Sequence, residues 1–281
     1  MYNDQAIIFK KGAVESYETL NLNNIFQGST TFDFVVGNYL IIGSDFPINT
    51  RFIKVKTANT LPSNMVVETY GGMQWDEVDI LIDETKDTGV SLAQSGLVTW
   101  VPKKFSVQDC VDSDQLIVDG VALSTIGISA KFWTRIRFDA DLDPLTELDY
   151  VGYKFSNESI LYSFYPDLDN QQIRNLFVLN KADWEKETII ASIELVRDLV
   201  NKGVTLNGQQ LLDWSIFDIA ASHKTASIIY GAMRGGSIND KNEAINSYHL
   251  SLENRFYKKE LSNTGKLDRI DAYNETTWFT R

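Results

Sequence analysis

Apolar and polar residues alternate through much of the first 160 residues, and this period of two predicts β-strands. The segment 131–138 would place Phe132, Thr134, Ile136 and Phe138 on one face and Trp133, Arg135 and Arg137 on the other. Residues 64–78 predict a hairpin with Gly71 and Gly72 in its turn. Enrichment in β-branched and aromatic residues predicts further strands at 30–44, 51–58, 96–102 and 148–155.

From about residue 166 the apolar residues recur every three or four positions, which predicts α-helices. The first helix is expected to have Asn180 as its N-cap, Asp183 in its first turn and Gly203 after its end. The second is expected from about Asp218 to Met233, and the third from Asn239 or Asp240 onward. Their buried faces would carry Trp184, Ile189, Ile193, Val196 and Val200, then Ala221, Ile228 and Ala232, then Ile245, Tyr248, Leu252 and Phe256.

The change of period predicts an α+β protein, in which an N-terminal antiparallel β-sandwich precedes a C-terminal helical bundle and an extended C-terminal arm. The expected domains are residues 1–160, 161–262 and 263–281. The arm is too short to build a core, so we expect its apolar side chains to form an interface with a partner or a neighbouring subunit. Packing back on the chain's own helices is the alternative. The candidate interface residues are Leu267, Ile270, Tyr273, Trp278 and Phe279.

Composition and charge narrow the function classes. The chain has 281 residues, of which 43% are hydrophobic, and a net charge of −12. Residues 1–165 carry 22 acidic and 12 basic side chains, which argues against binding nucleic acid through its phosphates. No apolar run approaches about 18 residues, so we expect no membrane span, and the N-terminus shows no secretory pattern. The single cysteine, Cys110, fits a reducing cytosol.

An acidic run between two predicted strands is the first candidate for chemistry. Asp139, Asp141 and Asp143 have the spacing that opens a calcium-binding EF-hand loop. Pro144 stands where that loop needs glycine, and Tyr150 stands where it needs a bidentate glutamate. We therefore interpret the run as a solvated strand connection whose replacement by asparagine leaves folding intact; a weak cation site is the alternative.

Other candidate sites are weaker still. His223 and His249 are the only histidines, and neither lies in a cluster with metal-ligand spacing, so both are interpreted as helix-surface or interface residues. The sequence has no nucleophile or phosphate-loop motif. Trp75, Trp100 and Trp133 could stack on sugars, although core or subunit packing is more common for such rings. We expect no catalytic residue, no metal and no cofactor.

Several segments together resemble proteins of tailed-bacteriophage virions. The N-terminal order resembles a β-module of such proteins in the segments NYLIIGSDFP, VVETYGGMQWDEV, GLVTWVP, FWTRIRFDADL and LDYVGYKFS. The helical half resembles head-to-tail connector proteins, which act as neck adaptors, in the segments WEKETIIASIELVRDLVNKG, LLDWSIFDIAASHKTASIIY and NEAINSYHLSLENRFYKKEL. The resemblance covers roughly residues 30–281.

The resemblance implies a structural protein and not an enzyme. It implies a homo-oligomeric ring, a dodecamer in this family, that joins the portal protein to tail or neck proteins. DNA would pass through the lumen without specific binding, and no membrane would be involved. The protein would be made in the host bacterial cytoplasm and end in the virion, in the neck or tail region. A tail or baseplate component with the same β-module and a carbohydrate-binding receptor module are the alternatives.

Overall fold

The computed structural model describes residues 5–11, 16–44, 49–70, 74–101, 117–118, 121–122, 132–201, 217–233 and 238–252. Along the sequence, two compact units meet between Gly152 and Tyr153. Strands make up the first unit and helices the second, which confirms the predicted α+β fold. The predicted domain boundary at residue 160 falls inside the first helix of the second unit. The predicted arm, residues 263–281, lies outside the described residues and stays a prediction.

The first unit contains the strands, and its two main sheets are antiparallel. The described strands are β1 (Gln5–Lys11), β2 (Ser16–Leu20), β3 (Thr30–Thr31), β4 (Tyr39–Ser44), β5 (Thr50–Thr57), β6 (Met65–Tyr70), β7 (Trp75–Glu77), β8 (Ile80–Asp83), β9 (Gly96–Val101), β10 (Ile117–Val118), β11 (Val121–Ala122), β12 (Phe132–Phe138) and β13 (Glu147–Gly152). One sheet has the order β2-β1-β4-β12-β6-β7 and the other β3-β13-β5-β9-β8, while β10 and β11 form a separate pair.

Apolar residues from both main sheets form one core, as a β-sandwich requires. The six-stranded sheet contributes Leu40, Ile42, Val67 and Ile136, and the five-stranded sheet contributes Ile53, Val98, Trp100, Leu148 and Val151. The predicted hairpin is confirmed by the antiparallel pairing of β6 with β7. Its turn, residues 71–73, lies outside the described residues.

The predicted strand region 30–44 is not continuous. The segment forms β3 and β4, and a turn containing Gly37 at a φ of +97° separates them. Only glycine reaches such a backbone conformation without steric cost, which explains why the strand breaks there. A second glycine, Gly96, begins β9 where a Cβ atom would lie 2.5 Å from the carbonyl group of Glu84.

The second unit contains the helices and their own apolar core. The described helices are α1 (Glu158–Phe164), a 3-10 helix (Pro166–Asp169), α2 (Gln171–Phe177), α3 (Glu185–Asn201), α4 (Asp218–Ala232) and α5 (Ile238–Leu252). One buried cluster of this unit consists of Leu161, Leu168, Trp184, Ala226, Ile229, Tyr230 and Ala244. The short helices α1 and α2 were not predicted, since neither is long enough to show a helical period.

Helix α3 begins at Glu185, so the prediction of Asn180 as its N-cap is wrong. Asn180 has a φ of +60° and lies before the helix. The Trp184 carbonyl accepts the first helical hydrogen bond from the Thr188 N–H at 2.9 Å. The Asp183 carboxylate accepts a hydrogen bond from the Glu185 N–H at 3.1 Å, which places a negative charge at the positive end of the helix.

The predicted ends of α4 and the predicted start of α5 are correct to within two residues, whereas the predicted continuation of α5 to Phe256 lies outside the described residues. Two details of α4 differ. Phe217, not Asp218, occupies its N-cap position, and Asp218 belongs to the first turn. The predicted inner stripe is also partly wrong, because Ala221 is buried whereas Ile228 is half-buried and Ala232 is exposed. The buried face of α4 instead includes Ala226 and Ile229, together with Ala220, Ser222, Thr225, Ser227 and Tyr230.

Candidate functional site

The acidic run connects β12 to β13 and therefore crosses from one sheet to the other. We call residues 139–146 the acidic crossover. The two carboxylate oxygens of Asp139 accept hydrogen bonds from the Asn64 N–H at 2.6 Å and the Asn64 Nδ2 at 2.7 Å. The Asp141 carboxylate accepts one from the Val36 N–H at 2.7 Å. The interpretation of this run as a strand connection is confirmed, but its carboxylates are bound by the protein and not only by solvent.

Asp143 is held in the same way. Its carboxylate accepts hydrogen bonds from the Thr60 hydroxyl at 2.6 Å and the Leu145 N–H at 2.9 Å. Because these bonds favour the ionised form, the pKa of Asp143 lies below its usual range, and bonds from Asn64 lower the pKa of Asp139. Among the residues that the structure describes, no group of three His, Cys, Asp or Glu side chains could hold a metal ion.

A buried asparagine, Asn59, anchors the crossover to the sandwich. Its Nδ2 donates toward the Leu61 carbonyl at 2.9 Å, the Ser63 hydroxyl at 3.0 Å and the Ser91 carbonyl at 3.0 Å. Its Oδ1 accepts from the Leu61 N–H at 3.1 Å and from the Asp143 N–H at 2.9 Å. The crossover is therefore a structural element. Its hydrogen bonds indicate that replacing the aspartates would lower stability, contrary to the expectation that folding stays intact.

The two histidines have different surroundings. His223, on α4, is half-buried, and its Nδ1 lies 2.8 Å from the Tyr165 hydroxyl. Burial lowers the pKa of His223, and burial also raises the pKa of Tyr165 to about 12, so both groups are neutral near pH 7. His249 is exposed on α5. His223 therefore belongs to the packing of the helical unit, while His249 is available at its surface.

The three tryptophans considered as sugar-stacking residues are two buried rings and one half-buried ring. Trp100 and Trp133 are fully buried, so neither ring can reach a ligand in solvent. The Trp75 ring is covered by the Arg135 guanidinium, whose Cζ lies 4.8 Å from the ring centroid. Arg135 is fixed there by a hydrogen bond to the Glu68 carboxylate at 2.5 Å. These three rings therefore favour packing, as the commoner interpretation expected.

Among the described residues, one outermost strand of the first unit carries exposed apolar side chains. Strand β8 ends the five-stranded sheet and pairs with β9 on one side. Ile80 and Ile82, on the outer face of β8, are each 56% exposed. Open edges with apolar side chains are sites at which another strand or chain can add. Strand β8 is therefore a candidate interaction surface of the sandwich.

The helical unit carries a second exposed apolar surface, at the end of α2. We call residues 176–181 the α2 tip. Leu176, Val178 and Leu179 are 52%, 54% and 76% exposed. Phe177 points inward, and its ring packs edge-on against buried Trp184 at a centroid distance of 5.4 Å. Contiguous exposed apolar side chains on a folded surface are typical of protein interaction sites.

Hydrogen bonds brace the α2 tip from beneath. The Asn175 Oδ1 accepts from the Asn180 N–H and from Gln171 Nε2, both at 3.0 Å. Lys181 Nζ lies 2.9 Å from the Glu187 carboxylate and 5.0 Å from the Trp184 ring centroid, so this cation is turned inward. The three aliphatic side chains are thus presented on a preorganised turn, which reduces the entropy lost on binding.

A groove lies on another part of the helical unit, among α3, α4 and α5. Its volume is roughly 370 Å³. The aliphatic part of its lining comes from Ile228, Gly231, Ala232 and Ile245, and the polar part from Glu194, Lys224, Ser227, Lys241, Tyr248 and His249. Lys224 Nζ forms a salt bridge with the Glu194 carboxylate at 3.0 Å. Lys241 is exposed, and its side chain lies beside Gly231. We call this feature the α3–α5 groove.

The sequence predicted neither the α2 tip nor the groove as a functional surface. A usable signal existed for the tip, since four consecutive apolar residues at 176–179 cannot all face inward at the end of a short helix. The predicted interface residues Leu267, Ile270, Tyr273, Trp278 and Phe279 lie outside the described residues. Within the described chain, every helix is too short or too polar to cross a bilayer.

Comparison with known proteins gives little. No protein-family model matches the chain, and no solved structure matches it significantly. The chain is similar to part of the RNA-directed RNA polymerase L of Mobala mammarenavirus (isolate Rat/Central African Republic/Acar 3080/1983), with 25% identity over 130 residues. That alignment covers 44% of this chain and 5% of the polymerase. A match to a twentieth of a much longer protein does not show a family, and it transfers no activity.

Proposed function

We propose that this chain is a structural virion protein of a tailed phage, a head-to-tail adaptor that forms a ring between the portal protein and the tail or neck proteins. The ring, a dodecamer by the family resemblance, would form part of the DNA channel. The acidic balance of residues 1–165 would let DNA pass without specific binding. The protein would act by assembly and not by catalysis.

The observation that supports this proposal most is the pair of apolar surfaces held outward on rigid frames. Strand β8 presents Ile80 and Ile82 in the first unit, and the α2 tip presents Leu179 with its neighbours in the second. A ring subunit must contact neighbouring copies and at least one other protein, so it needs more than one such surface. Two separate surfaces on two units fit that requirement.

The test measures assembly and portal binding separately. We expect the purified protein to form closed rings by negative-stain microscopy and native mass spectrometry, alone or on addition of its portal protein. We also expect saturable portal binding that a variant lacking residues 263–281 loses. A protein that binds a glycan array but no portal would support the receptor module instead, and assembly only with baseplate proteins would support the tail component.

A further inference from the structure

We propose that strand β8 binds an extended segment of a different protein as an added antiparallel strand. The segment has a central residue with an aliphatic residue on each side, and then Lys or Arg at each end. The inference rests on the proposed function for the identity of that protein as another virion component. Binding of such a segment can be measured without any ring or portal.

The main chain of β8 determines that the occupant is a strand. The Glu84 N–H donates to the Leu97 carbonyl at 2.9 Å, in register with the pairing of β8 and β9. Because main-chain direction alternates along antiparallel strands, Leu81 and Asp83 direct their main-chain groups away from β9. The Asp83 carbonyl accepts from the Lys86 N–H at 3.3 Å. Leu81 thus offers an N–H and a carbonyl, and Asp83 an N–H, on a side where no described strand pairs with β8.

The side chains of β8 determine that the added strand is aliphatic on one face. Ile80 and Ile82 are each 56% exposed, and Val101, which lies opposite Ile80 in the register, is 36% exposed. Leu81 is on the other face and packs against the core of the sandwich. When the central residue of the added strand pairs with Leu81, its two neighbours lie opposite the two isoleucines. Aliphatic cross-strand pairs there would cover side chains that are otherwise exposed.

The charges on β8 determine the two ends of the added strand. Asp79 and Asp83 flank the two isoleucines, and within the described part of the chain neither forms a salt bridge. The Asp83 carboxylate accepts hydrogen bonds from the N–H and hydroxyl of Thr85 and from the Ser91 hydroxyl. These donors are uncharged, so the negative charge of Asp83 is not neutralised. Lys or Arg two positions from the central residue would lie opposite the two aspartates.

Basic side chains near β8 do not cancel its negative charge. Residues 74–104 carry six acidic side chains and three lysines, two of which lie outside the described residues. The described one, Lys86, donates from Nζ to Asn64 Oδ1 at 2.6 Å, and Arg137 lies 3.5 Å from the Glu77 carboxylate. With Arg137 and all three lysines counted against the six acids, two negative charges remain. The strand therefore attracts a cationic partner.

The same aspartates argue against a second copy of this chain as the occupant. If two β8 strands paired in the corresponding antiparallel register, Asp79 of each would lie opposite Asp83 of the other. Like charges directly opposite each other destabilise a sheet, and this pairing would place them so twice. The occupant is therefore a different protein. In the proposed ring, the α2 tip is then the candidate surface for contacts between copies.

Three synthetic peptides, capped at both ends, test strand addition to the full chain. Lys-Val-Thr-Val-Lys carries the whole pattern, and Glu-Val-Thr-Val-Glu reverses only the end charges. The lysine peptide methylated at its threonine nitrogen keeps the side chains but loses the hydrogen bond to the Leu81 carbonyl. Binding is followed by amide chemical shifts of the isotope-labelled chain as peptide is added to millimolar concentration.

Two variants of the chain test the side chains of β8. Ile80→Thr with Ile82→Thr removes the aliphatic contact but keeps β-branched side chains, and Asp79→Lys reverses one charge. Val36→Thr, at a valine of the same unit with 59% exposure, is the matched control for the isoleucine variant. Unchanged far-UV circular dichroism confirms the folding of each variant before binding is measured.

We expect wild type and Val36→Thr to bind the lysine peptide saturably, with the largest shifts at the amides of Leu81 and Asp83. Binding should be at least about tenfold weaker for either altered peptide and for the isoleucine variant. Asp79→Lys should shift the preference toward the glutamate peptide.

The absence of saturable binding by wild type, or equal binding of the methylated peptide, would overturn the inference. So would equal binding by the isoleucine variant, or an unchanged charge preference in Asp79→Lys. Rings and portal binding in a chain that does not bind the lysine peptide would refute this inference alone. Peptide binding by a chain that forms no ring and binds no portal would refute the adaptor proposal alone.

Discussion

The acidic crossover and the α2 tip are both short, solvent-facing connections, yet they use their side chains in opposite ways. In the crossover, Asp139 and Asp143 turn their carboxylates toward donors of the same unit. In the tip, Leu179 and its neighbours turn away from the unit, and the polar residue Asn175 provides the bracing. The acidic segment is held by hydrogen bonds within its own unit, and the apolar segment is exposed.

This difference shows which property of a segment indicates its role. The carboxylates of Asp139 and Asp143 accept hydrogen bonds at both oxygens from groups of their own unit, so the fold itself uses these side chains. The aliphatic side chains of the α2 tip are exposed to solvent on a hydrogen-bonded turn, and contiguous exposed apolar side chains favour binding to a partner. A structural connection is therefore distinguished from a docking surface by the groups to which its side chains are hydrogen-bonded, and not by its residue types.

Removing the Asn59 side chain is the most direct test of whether the acidic crossover is a structural connection. Asn59 is buried, so Asn59→Ala would leave the Asp143 N–H and the Ser91 carbonyl without their partner. We expect the free energy of unfolding to fall by roughly 3 kcal/mol, measured by urea denaturation with hydrogen exchange to locate the loss in the first unit. Asn242→Ala, exposed on α5, is the control and should stay within about 0.5 kcal/mol. Equal stability of the two variants would show that Asn59 does not hold the crossover.

Sequence reasoning predicted the fold class because it depends on period. Alternation in 132–138 and helical spacing in 185–201 are local properties, and the structure confirms both elements. The turn at Gly37 and the start of α3 were missed, because each depends on one backbone conformation that competes with a favourable local pattern. Neither error changed the order of elements.

The candidate surfaces were harder to predict for a physical reason. Whether Ile228 faces the core or the groove depends on where α5 packs against α4, and no pattern within α4 contains that information. The bonds of Asp139 to Asn64 likewise join residues that are far apart in sequence. Long-range placement decides both cases, and a single sequence without homologues does not carry it.

Replacing Asp139, Asp141 and Asp143 together with asparagine tests whether the crossover is a cation site. Both Asp139 oxygens accept from Asn64, so an asparagine there would turn an N–H2 group toward a donor. We expect the triple variant to have a lower melting temperature than wild type. The decrease should be smaller than in Asn59→Ala, because Asp139 and Asp141 are exposed and Asp143 is only half-buried. Calcium should leave the melting temperature of both proteins unchanged. A calcium-dependent rise in wild type that the triple variant loses would identify a bound ion.

As the pH falls, the two units should lose stability at different pH values, because their titrating groups differ. The folded-state pKa of His223 lies below 6.5, so the unfolded chain binds more protons and the stability of the helical unit falls as pH drops below about 6.5. The pKa values of Asp139 and Asp143 lie below 3.8, so the sandwich loses their contribution only below about pH 4. Hydrogen exchange at pH 5 and pH 7 should show the earlier loss in the helical unit.

His223→Gln is the control for this assignment, since glutamine can still accept a hydrogen bond from the Tyr165 hydroxyl but does not titrate. The variant should lose the stability change between pH 7 and pH 5 while the change below pH 4 remains. The same pH dependence in wild type and variant would show that another group is responsible.

The smallest expected change in stability comes from Asn175→Ala, which tests whether the α2 tip acts as a docking surface. Asn175 is exposed, so losing its bonds to the Asn180 N–H and Gln171 should lower the free energy of unfolding by only about 0.5–1 kcal/mol. The tip itself should loosen, with faster amide exchange in residues 176–181, and self-association should weaken by about threefold as the cost of ordering returns at binding. Gln172→Ala, exposed on the same helix, should change neither property. If Asn175→Ala accelerates exchange but leaves association unchanged, the aliphatic side chains dock without help from the rigid turn. If Asn59→Ala instead proves the more harmful of the two for association, the division between a structural crossover and a docking tip is wrong.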